Sequence, residues 1–243
     1  MKTKSIIESI VPSSVSLAVA VGLAMLVCRV GNAQDEAIPK DEHRKRAAEW
    51  IEKLGLTDVE RRERLIRVVA THLQAVQSWH DEHPAKTVPE GINPLSGKRL
   101  SELDRKMIAD SAIPVSVHER LMAGLRKDLS ESDVEKILDQ YTIGKVAFTM
   151  NGYKAIVNDL TADEEKTILG YLKEAREMAI DYRSMKEISG IFEIYKTKSE
   201  QHLISNGRNW RNLYKTYVDS VKAAKQATEK QAAEKQSAQN LPK

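Results

Sequence analysis

Apolar residues recur at intervals of three and four through most of this chain. From Arg61 to His83, Leu65, Val69, Leu73, Val76 and Trp79 fall on one side of a helix. From Asp163 onward, Ile168, Leu172, Ala175, Ala179, Tyr182, Met185 and Ile188 do the same, which predicts one continuous helical face. Helix starts are marked by Ser or Thr with an acidic residue three positions on: Thr57/Glu60, Ser101/Asp104, Ser116/Glu119, Ser130/Asp133 and Thr161/Glu164. The hydroxyl accepts from a first-turn backbone N–H, and the acidic group sits where the helix dipole favours negative charge. Those five starts, with residues 41–54 and a segment opening at Trp210, predict at least seven helices. The expected fold is all-α, a single-domain multi-helix bundle over residues 34–221 with one long Pro/Gly-rich loop.

Three stretches interrupt the helical pattern. Residues 86–98 carry Pro89, Gly91, Pro94 and Gly97 and read as a long turn-rich connection, the kind of loop that often holds function. Residues 143–157, with Gly144, Phe148, Gly152 and Tyr153, fit a short strand pair or an irregular helix. Residues 222–243 are Ala, Lys, Gln and Glu with almost no large apolar residue, so they predict a fraying helix or a disordered tail.

The amino terminus changes the setting. Lys2 and Lys4 precede an apolar run from Ser14 to Val27, and Gly31, Asn32 and Ala33 follow it. That is the form of a secretory signal peptide, residues 1–33, cleaved after Ala33, and it predicts a periplasmic or secreted protein with no membrane segment once cleaved. The one cysteine, Cys28, falls inside it, so the remaining chain has no disulfide and no thiol chemistry. A lipoprotein reading makes Cys28 the acylated first residue, although Val27 is a poor residue to precede it. Removing Lys2, Lys4, Arg29 and Glu8 brings the formal charge of +3 close to neutral, which leaves no electrostatic case for a nucleic-acid partner.

Chemistry concentrates in two places. Three of the six histidines lie between residues 72 and 83, and His72, Trp79, His80 and His83 share one ~100° arc at helical spacing. His80 and His83, with Asp104 just beyond the loop, are the candidate catalytic acids and bases; Asp104 has a competing role as the third residue of a capped helix. Trp79, Asn93, Lys98 and Arg105 are the candidate ligand-binding residues of the same region. No His-Glu-x-x-His spacing is present, and neither a metal nor a cofactor is expected. The second place is Asn206-Gly207-Arg208-Asn209-Trp210-Arg211. Gly207 reads as a helix C-cap, while Asn206, Arg208, Trp210 and Arg211 offer an aromatic plane, amides and guanidinium groups suited to a sugar or uronate. If this corner folds against residues 86–98, the two form one pocket.

Residues 45–220 resemble an uncharacterised secreted bacterial family, a domain of unknown function. The resemblance rests on Ala70-Thr-His-Leu73, Trp79-His-Asp-Glu-His-Pro84, Thr87-Val-Pro-Glu-Gly-Ile-Asn-Pro-Leu-Ser-Gly-Lys98, Ala123-Gly-Leu-Arg-Lys-Asp128, Lys145-Val-Ala-Phe-Thr149 and Ser205-Asn-Gly-Arg-Asn-Trp-Arg211. That family tends to occur in bacteria rich in polysaccharide-degrading machinery, which implies a glycan context and assigns no catalytic residue. The first expectation is therefore an exported accessory protein that binds a glycan, a uronate-containing oligosaccharide or a protein partner. A hydrolase or lyase of acidic polysaccharide is the alternative. A periplasmic chaperone or scaffold is the third, since the Leu-Ser/Thr helix starts resemble those of small helical chaperones.

Overall fold

The computed structural model describes residues 39–94 and 96–239, with side chains through residue 229. The predicted signal peptide, its cleavage point and Cys28 lie outside the described residues. Within them the chain is all-α: α1 (Asp41–Glu52), α2 (Val59–Glu82), α3 (Glu102–Asp110), α4 (Val115–Asp128), α5 (Glu131–Tyr141), α6 (Lys145–Ile156), α7 (Ala162–Ala179), α8 (Met185–Ser205) and α9 (Trp210–Gln239). Helix α9 continues through the polar tail as far as Gln239.

Most of the expected starts are present. Ser101, Ser130 and Thr161 each accept from the backbone N–H of the acidic residue three positions on, and at Ser101 and Thr161 that residue's carboxylate returns the bond to the cap. Two starts shift. Asp58 caps α2 in place of Thr57, its side chain accepting from Arg61 N, and α4 begins at Val115 behind Pro114, which puts Ser116 inside the helix. Proline fixes its φ in the helical range and lacks the N–H that a first turn leaves unpaired, so Pro114 sets this start without a hydroxyl.

Two larger expectations are corrected. Residues 145–156 are a regular helix, with no strand pair; Ile143 (φ 52°) and Gly144 (φ 65°) turn the chain sharply before it. The face expected to run unbroken from 163 to 188 stops at Ala179. Residues 180–184 form a turn, and Ser184 starts α8 with a capping box to Glu187. Helical periodicity survives such a break because both helices bury the same kind of face. The Ser-x-x-Glu pattern at 184–187 is the signal that marks it.

The break joins two cores. Ile51, Leu65, Val69, Leu121, Leu125 and Ile137 centre a cluster built from α1, α2, α4 and α5. Ile168, Leu172, Ala175, Ile191, Phe192 and Leu203 centre a second one from α6, α7 and α8. Ala179 belongs to the second cluster and Ile180 to the first, so the turn passes from one to the other. Helix α3 packs on both α2 and α8, with Met107 against the second core. The loop before α3 is tied by an antiparallel bridge between Ile92 and Arg99 and by Leu100 N donating to Gly91 O at 2.9 Å.

Candidate functional site

The turn at 180–184 places charged groups where three helices meet. The Ser184 cap fixes Glu187 by one carboxylate oxygen: Oε2 accepts from Ser184 N at 2.9 Å and from its Oγ at 2.6 Å. The other oxygen, Oε1, is buried and has no hydrogen-bond partner. It lies 3.9 Å from His80 Nδ1, near the end of α2. Asp110, the last residue of α3, completes the group with Oδ2 3.1 Å from the same His80 nitrogen. Lys106, one turn back on α3, pairs with Asp110 Oδ1 at 2.9 Å and donates to the carbonyls of His80 and His83 at 2.8 Å each. The lysine thereby satisfies carbonyls that the end of α2 leaves open.

Trp79 and His83 hold this corner in place. The Trp79 indole N–H donates to Ala109 O at 3.0 Å, and its ring stacks on His83 at 3.7 Å between centroids. His83 Nδ1 donates to Trp79 O at 2.9 Å. Burial, then the neighbouring Asp110 carboxyl, raise the Glu187 carboxyl above its ordinary range. Tyr182 beside them is pushed up to about 12 by burial and by Asp110, Asp181 and Glu187. His80 presents Nδ1 to both carboxylates. His80 lines a shallow cavity of about 380 Å³ with Asp81, Pro84, Ala85, Glu102 and Lys106. Proton transfer or cation binding are the chemistries open to such a group.

A second polar chain runs through the other side of the turn. Asp181 accepts from His72 Nε2 and His118 Nδ1, each at 2.9 Å. Burial pushes Asp181 up, but the hydrogen bonds from His118 and His72 outweigh it and hold the carboxyl below its usual value. The same hydrogen bond raises His118, while burial lowers His72 in spite of it. These contacts fasten the 180–184 turn to α2 and α4.

The expected site residues divide between several places. His80 and His83 share one corner, where the carboxylate on His80 is Asp110. Asp104 is turned to the α3 cap, accepting from Ser101 N at 2.8 Å and Ser101 Oγ at 2.7 Å. Arg105 Nε donates to Val88 O at 2.9 Å and ties α3 to the loop. Asn93 N donates to Lys98 O at 2.8 Å, and the Lys98 side chain is exposed. Asn206 and Arg208 both face Glu164, and Arg208 also reaches Asp159. Arg211 is exposed on α9. Among the described residues, the loop at 86–98 and Trp210 line different cavities. Glu90, Gly91, Ile92, Arg99, Leu100 and Arg105 line one cavity, while Trp210 opens onto another. The sequence reading missed Lys106, Asp110, Asp181 and Glu187 as site residues, and only Glu187 carried a local signal, its capping box.

The Trp210 cavity is a groove of about 740 Å³ between α6, α8 and α9. Phe148, Tyr153, Phe192, Trp210, Tyr214 and Tyr217 line it, together with Thr149, Asn151, Lys145, Lys196, Glu193 and Glu200. Trp210 and Tyr214 stack at 6.0 Å and Tyr153 meets Trp210 at 5.6 Å, so the rings form a continuous wall. Phe148, 79% exposed, stands at its edge. Burial, reinforced by Glu193, raises the Glu200 carboxyl.

The chain matches no curated protein. Residues 40–223, which take in α1 to α8 and both sites, match the model of the family described as Protein of unknown function (DUF3826), and the chain belongs to that family.

Proposed function

We propose that this is an exported glycan-binding accessory protein of polysaccharide use, and that the glycan lies in the groove between α6, α8 and α9. One observation carries the reading. Of the twelve aromatic residues in the chain (three Trp, seven Tyr and two Phe), six line this one groove, and Phe148, Trp210, Tyr214 and Tyr217 of these keep exposed or half-buried rings there. Sugar rings present an apolar face that stacks on aromatic planes, and their hydroxyls take hydrogen bonds from the amide, hydroxyl and charged groups of the rim. Thr149, Asn151, Glu193 and Lys196 supply those groups. Charge along the rim is balanced, since Lys196 is paired to Glu193 at 2.9 Å and Lys145 and Glu200 line the same cavity. A neutral, hydroxyl-rich chain suits this rim better than a polyuronate, and Arg208, the expected uronate clamp, is held by two carboxylates.

Affinity electrophoresis of the purified protein through gels containing neutral or acidic polysaccharides tests the reading. Retardation by a neutral glycan that Phe148→Ala and Tyr214→Ala abolish is the expected result. Unretarded migration in every gel, or retardation untouched by both variants, rejects it. The hydrolase or lyase alternative draws its support from His80, whose ring meets Asp110 and lines a cavity. Product analysis by mass spectrometry with a His80→Ala control separates that reading from binding alone.

A further inference from the structure

The corner at His80 supports an inference independent of the groove. We propose that His80 Nδ1, Asp110 Oδ2 and Glu187 Oε1 bind one divalent first-row transition-metal ion, zinc or manganese. The three donors come from α2, α3 and α8 and lie within 4.8 Å of one another. His80 Nδ1 is 3.1 Å from Asp110 Oδ2 and 3.9 Å from Glu187 Oε1. Bonds of about 2.0–2.2 Å to a shared ion hold donors about 3–4 Å apart, so the site needs little closure.

Glu187 Oε1 gives a second and separate reason. The residue is 1% exposed, its Oε2 takes two hydrogen bonds from Ser184, and Oε1 takes none while it faces the other two donors. A buried carboxylate oxygen without a partner is costly, and a cation at this point satisfies it. The donors are also held from behind, as metal ligands usually are: Ser184 fixes the far oxygen of Glu187, and Lys106 the far oxygen of Asp110. The Lys106 ammonium lies on Oδ1 and leaves Oδ2 available. It cancels one carboxylate charge, so with a neutral imidazole the group retains one net negative charge for the ion. One imidazole and two carboxylates suit zinc or manganese, whereas calcium asks for six to eight oxygens.

The experiment uses the whole purified chain, stripped with a chelator and titrated calorimetrically with ZnCl2, MnCl2 and CaCl2, with bound metal counted by elemental mass spectrometry after desalting. Expected are one zinc or manganese per chain, a metal-dependent rise in Tm, and affinity at least about 10-fold weaker in both Glu187→Gln and His80→Ala. Glu187→Gln keeps an oxygen for the Ser184 cap, and His80 is partly exposed, so circular dichroism serves to establish that at least one variant is folded. Failure of the folded wild type to take up zinc or manganese at millimolar concentration overturns the proposal. So does uptake that a folded variant leaves unchanged.

Discussion

Arg208 and Glu164, 44 residues apart in sequence, form a two-point ion pair in which the guanidinium Nε and Nη2 lie 3.0 and 2.8 Å from the two carboxylate oxygens. The same carboxylate closes the α7 cap on Thr161 N, and the same guanidinium reaches Asp159. The end of α8 is thereby fastened to the start of α7. Arg208→Ala leaves the Glu164 carboxylate without its guanidinium partner, and a loss of stability is expected in urea unfolding at neutral pH.

That pair also sets an acid limit. The hydrogen bonds of Arg208 lead the influences that lower Glu164 from 4.5 to about 2. A carboxyl depressed by folding contributes stability that is whole above its unfolded value and lost as the pH falls toward its folded one. Stability of the wild type should therefore decline between about pH 4.5 and pH 2, and the decline should be shallower in Arg208→Ala. Unfolding midpoints measured at pH 7, 4.5 and 3 for both proteins decide this.

Asp181 sits between two imidazoles that it affects unequally. The hydrogen bond to Asp181 raises His118 above 6.5, so its contribution is full below 6.5 and lost as the pH rises through the folded value. Burial lowers His72 below 6.5, so its contribution is present above 6.5 and lost on acidification. Two imidazole signals titrating on opposite sides of 6.5 are expected by NMR. In Asp181→Asn the His118 midpoint falls toward 6.5; an unchanged midpoint contradicts the assignment.

Gly124 on α4 marks where this helix meets α2. A Cβ there would sit 2.7 Å from Val68 Cγ1 and 2.8 Å from Cγ2, and a β-branched side chain has no rotamer with which to withdraw. Gly124→Ala gains about 1 kcal/mol of helix propensity and loses about 1–3 kcal/mol to overpacking, for a net destabilisation. Adding Val68→Ala opens the space, so the pair should be less destabilised than the sum of the single variants.

The two phenylalanines of the aromatic groove play different parts. Phe148 is 79% exposed and Phe192 is 2% exposed. Phe148→Ala should leave stability within about 0.5 kcal/mol of wild type, whereas Phe192→Ala should cost about 3–5 kcal/mol. Thermal unfolding of both variants checks the contrast. A stable Phe148→Ala protein is the clean reagent for glycan-binding assays.

The α7–α8 break shows how far local reading reaches. Ile168 to Ile188 keeps helical spacing across residues 180–184, because helices packed on adjoining cores each bury one apolar stripe. Periodicity alone therefore reads through the turn, although the Ser184 and Glu187 pair follows the same capping rule that placed α3, α5 and α7. His80 was legible as a chemical residue from its place at a helix end beside a loop. Its partners were not, since Asp110 and Glu187 stand 30 and 107 positions further along the chain.

By itself the sequence determined the helical class, seven of the nine described helices, the caps of three of them and the two neighbourhoods richest in reactive side chains. Each of these follows from interactions within a few residues: apolar stripes, hydroxyl caps and proline. Tertiary structure alone decided that Arg208 serves Glu164, that the described part of the loop and Trp210 line different cavities, and that His80 meets Asp110 and Glu187. Those outcomes depend on which helix faces pack together. Burial then turns such meetings into strong pairs or orphaned charges, which no single stretch of the chain encodes.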